Sequence, residues 1–453
     1  MHPTEAPIFP GDTTPALKAV RSRHAQAHGT YIDREPPPDA APLTLVATCS
    51  RDAERRWRRL SRMLDRLARP YMRFGRRRLS SYNAMGYAGI ASGTVLAGAL
   101  GVTRGLPPGM LFAVWLAIVA ASASQIVATA LLTGRDRLVF LRFLLGGLAA
   151  TLIVAGLRGA PALPYLDIVI VGFGILQAMG RVGCFMAGCC HGRAASWGVA
   201  YGARHRASGL PAALRGIRFL PTQLIESAWI AGWTLVAASL VYAGAPAGYA
   251  TAVYIAFYAL GRFGVEYIRG DAYRLAHAGI TEAQGILLAL TVSVGGAILA
   301  GWMPAPRGLL AVLALPALLL ALQALRPRHA LAAPRDLLDI ARALDTLEAG
   351  AAIPPRNPGA VHVARTAAGL LISREALADG FSVLYTLSHS DGALTDRTAA
   401  RRCDTIFRLR PGFDHAMLYK AGANLYHMAC APAAAPSSPS PHSNHRLGDP
   451  NES

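Results

Sequence analysis

The chain is expected to be an all-α polytopic membrane protein of seven to eight transmembrane helices, with a small α/β or partly disordered C-terminal extension. Three observations predict this. Of the 453 residues, 53% are hydrophobic and only 16% are charged, against about 25% charged in ordinary soluble domains. Mean hydropathy is positive, +0.32. Apolar runs near the ~20 residues that a hydrocarbon core requires recur at 82–103, 110–132, 138–157, 164–182, 222–243, 248–268, 279–302 and 308–325.

Along the chain, residues 1–50 are rich in Pro, Ala and Thr without periodicity, which predicts a disordered tail. In 51–79 the apolar residues Trp57, Leu60, Leu64 and Leu67 recur at helical spacing among arginines. That pattern predicts a basic amphipathic helix lying on the membrane surface; an exposed soluble helix is the alternative. The transmembrane domain is expected over 80–327. Residues 334–430 combine a helical pattern from Asp336 to Leu347 with a strand-like run from Phe381 to Tyr385, predicting a small soluble region. The Pro/Ser/Asn composition of 431–453 predicts a second disordered tail. No secretory signal pattern precedes the first apolar run, so that run is expected to direct insertion.

The net charge of +19 lies outside the apolar runs. It predicts contact with anionic lipid, and no nucleic-acid motif accompanies it, so nucleic acid is not an expected partner. Arginines crowd the first tail (Arg69, Arg73, Arg76, Arg77, Arg78), the 134–137 loop, the 183–220 loop, Arg269, Arg274 and the region after 326. These are alternate loops, and the positive-inside rule places them, with both termini, in the cytoplasm.

Ionisable groups within spans cost about 2.5–3.5 kcal/mol each at the helix centre, so each calls for a reason. The sixth span holds Arg262, Glu266 and Arg269, whose spacing places all three on one helical face, with Glu266 able to pair with either arginine. The fifth opens with Pro221-Thr222-Gln223-Leu224-Ile225-Glu226, which sets Gln223 and Glu226 one turn apart. Arg181 closes the fourth. Three arginines exceed what two carboxylates need, and forked guanidinium donors suit phosphate; a purely structural ion-pair network is the alternative.

The stretch Gly180–Gly192, which contains Arg181, reads GRVGCFMAGCCHG. Its Gly183, Gly188 and Gly192 are expected to allow tight turns that aim N–H groups at an anion. Cys184, Cys189, Cys190 and His191 offer thiolates and an imidazole, but the spacing matches no familiar zinc pattern, and adjacent cysteines bind one ion poorly without strain. A disulfide and simple packing of the loop are the other readings. Six cysteines are too few for a disulfide scaffold, and neither a metal nor a cofactor is expected.

Taken in order, the stretches Arg181-Val182-Gly183-Cys184-Phe185, Pro221 to Glu226, and Tyr258-Ala259-Leu260-Gly261-Arg262-Phe263 with Glu266 and Arg269 resemble the prolipoprotein diacylglyceryl transferases, over about residues 80–302. That resemblance implies a multi-pass enzyme of the bacterial inner membrane. Its partners would be phosphatidylglycerol and a prolipoprotein signal peptide with its lipobox cysteine. The diacylglyceryl group would pass to that cysteine's thiol, releasing glycerol phosphate.

It further implies catalytic roles for Arg181, Arg262 and Tyr82, and substrate-binding roles for Gly183, Cys184, Gly192, Gln223, Glu226, Glu266, Arg269, Gly146 and Gly147. Gln284 resembles a seventh-span glutamine. Two positions depart from the family. Leu145 precedes Gly146-Gly147 where the family has histidine, and Cys184 replaces the signature asparagine. His191 is a candidate substitute base. The family also holds its signature loop on the outer face, opposite to the arginine count. A catalytically altered relative that binds anionic phospholipid as a scaffold, and a thiol- or metal-handling transporter, are the alternative functions.

Overall fold

The computed structural model describes residues 44–50, 55–133, 140–208, 210–270, 276–277, 280–324, 333–351, 362–376, 382–390, 394–410 and 412–432. Most of both expected disordered tails lies outside these residues. Two compact units result: Ala53–Ala341, and Met1–Asp52 together with Arg342–Ser453.

In the first unit every expected span is a helix: α2 (Ser81–Thr103), α3 (Pro108–Thr133), α4 (Phe140–Leu157), α5 (Ala162–Ala187), α6 (Thr222–Tyr242), α7 (Tyr249–Ile268), α8 (Glu282–Leu299) and α9 (Gly308–Ala324). Six of them, α2 to α6 and α8, are long and apolar enough to cross a membrane. The chain is a polytopic membrane protein. The two others differ for visible reasons: α7 carries Arg262 and Glu266, and α9 has 17 residues with Pro316 inside.

Helix α5 is the centre of the bundle. Its apolar window is 61% buried, against 11% for α3, which therefore presents most of its surface to lipid. α5 packs against α2, α4, α6 and α7. Close approach to α2 depends on small residues, as expected where no solvent drives helices together: a Cβ on Gly93 would fall 2.6 Å from the Gly172 carbonyl oxygen. At the far end of α5, buried Asp167 holds α7 by its N-terminus. It accepts hydrogen bonds from Gly248 N (2.6 Å), Thr251 N (2.8 Å) and Thr251 Oγ1 (2.6 Å). A carboxylate there satisfies orphan donors and suits the positive end of the helix dipole.

The amphipathic segment forms α1 (Arg58–Leu67), as its spacing predicts. It docks on strand β4 (Ala194–Ala200) of the loop after α5. Ser61 Oγ accepts from Gly198 N at 3.3 Å, and Asp65 accepts from Ala200 N at 2.8 Å while pairing with Arg218 at 3.2 Å. Trp57 rests beside Trp197, centroids 5.9 Å apart. A short hairpin, β2 (Tyr71–Phe74) with β3 (Arg77–Ser80), leads into α2. β4 pairs with β5 (Arg218–Phe219), and β6 (Ala276–His277) pairs with β7 (Ile280–Thr281).

The second unit is an antiparallel sheet in the order β1-β11-β12-β10-β9-β8. Its strands are β1 (Thr44–Ser50), β8 (Val363–Arg365), β9 (Leu370–Ala376), β10 (Val383–His389), β11 (Phe413–Gly422) and β12 (Leu425–Pro432), with helix α11 (Asp396–Leu409) and the part of α10 (Ala333–Ala351) that follows Ala341. Buried Cys403, Ile406 and Phe407 of α11, with Ile372, Leu387, Leu418, Tyr426 and Met428 of the strands, make its core.

Thr44–Ser50, expected to belong to a disordered tail, is instead an edge strand paired with β11. The correction has a topological consequence. β1 precedes all the spans and β11 follows them, so one sheet containing both requires an even number of crossings. Of seven or eight, eight satisfies it.

Candidate functional site

Helices α5, α6 and α7 each deliver a charged side chain to one point in the bundle. Arg181 Nη2 stands 3.1 Å from Glu226 Oε1, and Arg262 Nε stands 3.3 Å from the same oxygen. Arg262 Nη1 also pairs with Glu266 Oε2 at 2.5 Å, one turn along α7. Arg262, Glu226 and Glu266 are buried; the Arg181 side chain keeps 14% of its surface open, which makes it the more accessible of the two guanidiniums. The contacts on Glu226 are ion pairs without hydrogen-bond alignment, since Arg262 Nε and Glu226 Oε1 have no aligned partner among the described residues.

Arg269 does not extend the face of α7. The helix ends at Ile268, and Arg269 turns to extended backbone (φ −66°, ψ 141°), where it bridges Gly192. The loop carrying Cys189 to Arg193 is thereby clamped between two helix ends. Gly192 N donates to Leu220 O (3.1 Å), Arg193 N to Ile268 O (2.9 Å) and Gly270 N to His191 O (2.9 Å). Gln223 and Thr222, at the start of α6, hold the same loop from beneath: Gln223 Nε2 donates to Cys189 O (2.7 Å) and to Tyr201 Oη (3.2 Å), and Thr222 Oγ1 to Cys190 O (3.3 Å).

These bonds correct the expected anion cradle. The N–H groups of Gly188, Cys189 and Gly192 are all spent on the protein's own carbonyls. Gly183 lies within α5, where its Cα faces the backbone of Tyr82; a Cβ there would come 3.1 Å from Tyr82 Cα. Only Gly188 uses a left-handed conformation, φ 83°, to cap α5. The glycines position the loop and Tyr82, and the charge at this point comes from side chains.

Tyr82 shares the surroundings of Arg181, Cys184, Cys189 and Cys190. The Cys190 thiol is held well below its ordinary range. Hydrogen bonds from the Cys184 and Cys189 sulfurs act first, desolvation opposes them, and the guanidiniums of Arg269 and Arg181 add to the lowering. His191 is buried rather than facing solvent. Its ring lies 4.1 Å from that of Phe219, and its Nδ1 donates to Gly192 O at 2.9 Å.

Tyr82, Arg181, Gly183, Cys184, Gly192, Gln223, Glu226, Arg262, Glu266 and Arg269 therefore converge. Gly146 and Gly147 serve elsewhere, as the small residues through which α4 meets Gln125 of α3 and Phe173 of α5. Gln284 completes a capping box with Thr281 at the start of α8. Gln177 and Tyr254 were not singled out in the sequence, and Tyr258 entered only as the first residue of the family-like stretch. Gln177 Nε2 donates to Tyr258 Oη (2.5 Å) and its Oε1 accepts from Tyr254 Oη (3.4 Å), a polar string inside the bundle. Gln177 precedes Arg181 by four residues, a helical spacing that places both on one face.

The family model for prolipoprotein diacylglyceryl transferase matches residues 138–302, a stretch containing every converging residue except Tyr82. Several relatives carry the name phosphatidylglycerol–prolipoprotein diacylglyceryl transferase. The one from Clostridium tetani is 30% identical over 132 residues, 28% of this chain and 50% of its own length. The one from Clostridioides difficile is 29% identical over 157 residues, 34% of this chain and 56% of its own. One from Dehalococcoides mccartyi is 35% identical over 133 residues, 28% and 48% respectively. The chain thus spans about half the length of the curated relatives it matches. Through the stretch that builds its buried arginine cluster, this chain is similar to the prolipoprotein diacylglyceryl transferases.

Proposed function

We propose that the protein transfers a diacylglyceryl group from phosphatidylglycerol to the thiol of a prolipoprotein lipobox cysteine, releasing glycerol phosphate, in a bacterial inner membrane. One observation carries the reading: guanidiniums from α5 and α7 meet at one carboxylate in the bundle. Together with Arg269, whose charge is felt at Arg181, they outnumber Glu226 and Glu266.

The thiolate sulfur attacks the glyceryl carbon that bears the phosphate. An S–C bond forms as the C–O bond breaks, and the electron pair leaves on the phosphate oxygen. Charge therefore grows on the phosphate, where fixed guanidiniums stabilise it without reorganising. Arg181, the more open, receives the headgroup; Arg262, braced by Glu266, completes the fork; Glu226 keeps the two at a common depth. Their unaligned contacts on Glu226 leave N–H directions for phosphate oxygens.

Transfer from radiolabelled phosphatidylglycerol to a lipobox peptide in purified membranes tests the reading. Arg181→Ala and Arg262→Ala should each lower the rate by roughly 10²–10³-fold. Unchanged rates in both would overturn it, and tight phosphatidylglycerol binding without transfer by the unmutated chain would replace it with a lipid-binding role.

A further inference from the structure

Cys184, Cys189 and Cys190 are assembled by the backbone that closes α5. Cys184 lies on the last turn. Gly188 then ends the helix with φ 83°, and Cys190 adopts φ 54°, the positive-φ non-glycine position among the described residues. A side chain in that region costs of order 1–3 kcal/mol and persists where the surroundings over-determine it. Here they do: Thr222, Gln223, Leu220 and Gly270 all bond to the loop.

The twist also removes the objection that adjacent cysteines diverge. The three sulfurs lie within 4.8 Å of one another, and all are free thiols. Zinc–thiolate bonds are about 2.3 Å, so three sulfurs around one ion stand roughly 3.8–4.0 Å apart, less than about 1 Å closer than here. Three thiolates and a divalent ion carry a net charge of −1. Arg181 and Arg269, both within electrostatic reach of Cys190, offset it.

We propose that Cys184, Cys189 and Cys190 bind one zinc-class metal ion and leave its fourth position for an incoming thiol. Three protein ligands with one open position are the arrangement of reactive rather than structural zinc. A thiol that coordinates such an ion gives up its proton; here the proton passes to water. The resulting thiolate is the nucleophile of the reaction proposed above, formed without the histidine that Leu145 replaces. The metal site rests on geometry alone, and the identity of its fourth ligand rests on the transferase reading.

The test uses the purified full chain, stripped with chelator, kept reduced and anaerobic, then titrated with ZnCl2 against a chromophoric competitor. One zinc per chain is expected. It should protect Cys184, Cys189 and Cys190 from alkylation, as read by peptide mass spectrometry, and leave the labelling of Cys49 unchanged. Cys190→Ser should lose the site, whereas Cys49→Ser should keep it. Absence of stoichiometric zinc, equal zinc in the Cys190→Ser chain, or protection of other cysteines instead would overturn the proposal.

Two further outcomes separate it from the reaction. Arg262→Ala should keep zinc and lose transfer, whereas full transfer by the zinc-free chain would sink the metal proposal and leave the reaction standing. Replacing zinc with Co(II) and adding a lipobox peptide should shift the metal's absorption bands. An unchanged spectrum would remove the thiol from the fourth position.

Discussion

Arg181 and Arg262 share a single carboxylate oxygen. Glu226 Oε1 lies 3.1 Å from the first and 3.3 Å from the second, although the two arginines stand on different helices. Glu226 is therefore the part that sets both guanidiniums at one depth, and its replacement has a calculable consequence.

Glu226→Gln keeps the shape and removes the charge, leaving two buried arginines with the Glu266 carboxylate that pairs with Arg262. Breaking a buried pair by removing one partner costs about 3–5 kcal/mol. Thermal unfolding in detergent should show a lowered midpoint, and transfer per folded molecule should fall as well. Arg262→Lys separates the two effects. It preserves the charge and loses the planar fork, so transfer should drop more steeply than stability. A lysine variant with normal transfer would mean that the fork is not used.

Asp167 offers a stability test that leaves the chemistry alone. It lies fourteen positions before Arg181 on α5, roughly 21 Å away along the helix axis at 1.5 Å per residue. Asp167→Ala removes the acceptor for Gly248 N, Thr251 N and Thr251 Oγ1. Stranding those donors in the bundle should cost about 2–4 kcal/mol. The unfolding midpoint should fall, while the transfer rate of the folded fraction should be unchanged within twofold. A rate that falls with the midpoint would show that α7 needs this anchor to aim Arg262.

Gly270 tests the clamp. A Cβ at that position would lie 2.1 Å from the Gly192 carbonyl oxygen, and backbone on both sides leaves no flexible side chain to yield. Gly270→Ala should displace the loop bearing Cys189 and Cys190, lowering transfer with little change in the unfolding midpoint. Gly264→Ala, on α7 just before the clamp and with open space around its Cβ position, serves as the control.

The bundle was readable in the sequence because a hydrocarbon slab imposes length and apolarity on every crossing, and because Arg181, Glu226, Arg262 and Glu266 are costly there unless they meet. The clamp was not readable. Helical spacing carried Arg269 onto the face of α7, but the pairing of Gly192 with Arg269 ends the helix at Ile268, and that pairing is between residues far apart in the chain. The cradle of glycine N–H groups failed because their acceptors lie within the protein: Leu220, distant in the chain, takes Gly192, and Cys184, at the end of α5, takes Gly188. Asp167 stood in plain view as a lone carboxylate in an apolar run. Strand β1 was hidden by the composition around it, because seven residues suffice when the partner, β11, is already folded by the other end of the chain.

Sidedness is the remaining test, and it follows from pairing alone. α1 is bonded to β4, so the segment before the first span and the loop after the fourth share one side of the membrane. β1 is paired with β11, so the chain's two flanks share a side as well. The first condition needs an even number of crossings before that loop, which four satisfy, and the second an even number overall, which eight satisfy and seven do not. Single cysteines introduced at Arg204, exposed in the loop, and at Ala423, exposed in the turn between β11 and β12, should gain a membrane-impermeant maleimide from the same side of sealed vesicles. Inverting the vesicles should switch both together. The arginine count assigns that side to the cytoplasm, whereas the family resemblance assigns the loop to the outer face, so the vesicle orientation that labels also decides between them. Labelling of the two positions from opposite sides would break the parity, and with it either the β1–β11 pairing or one of the eight spans.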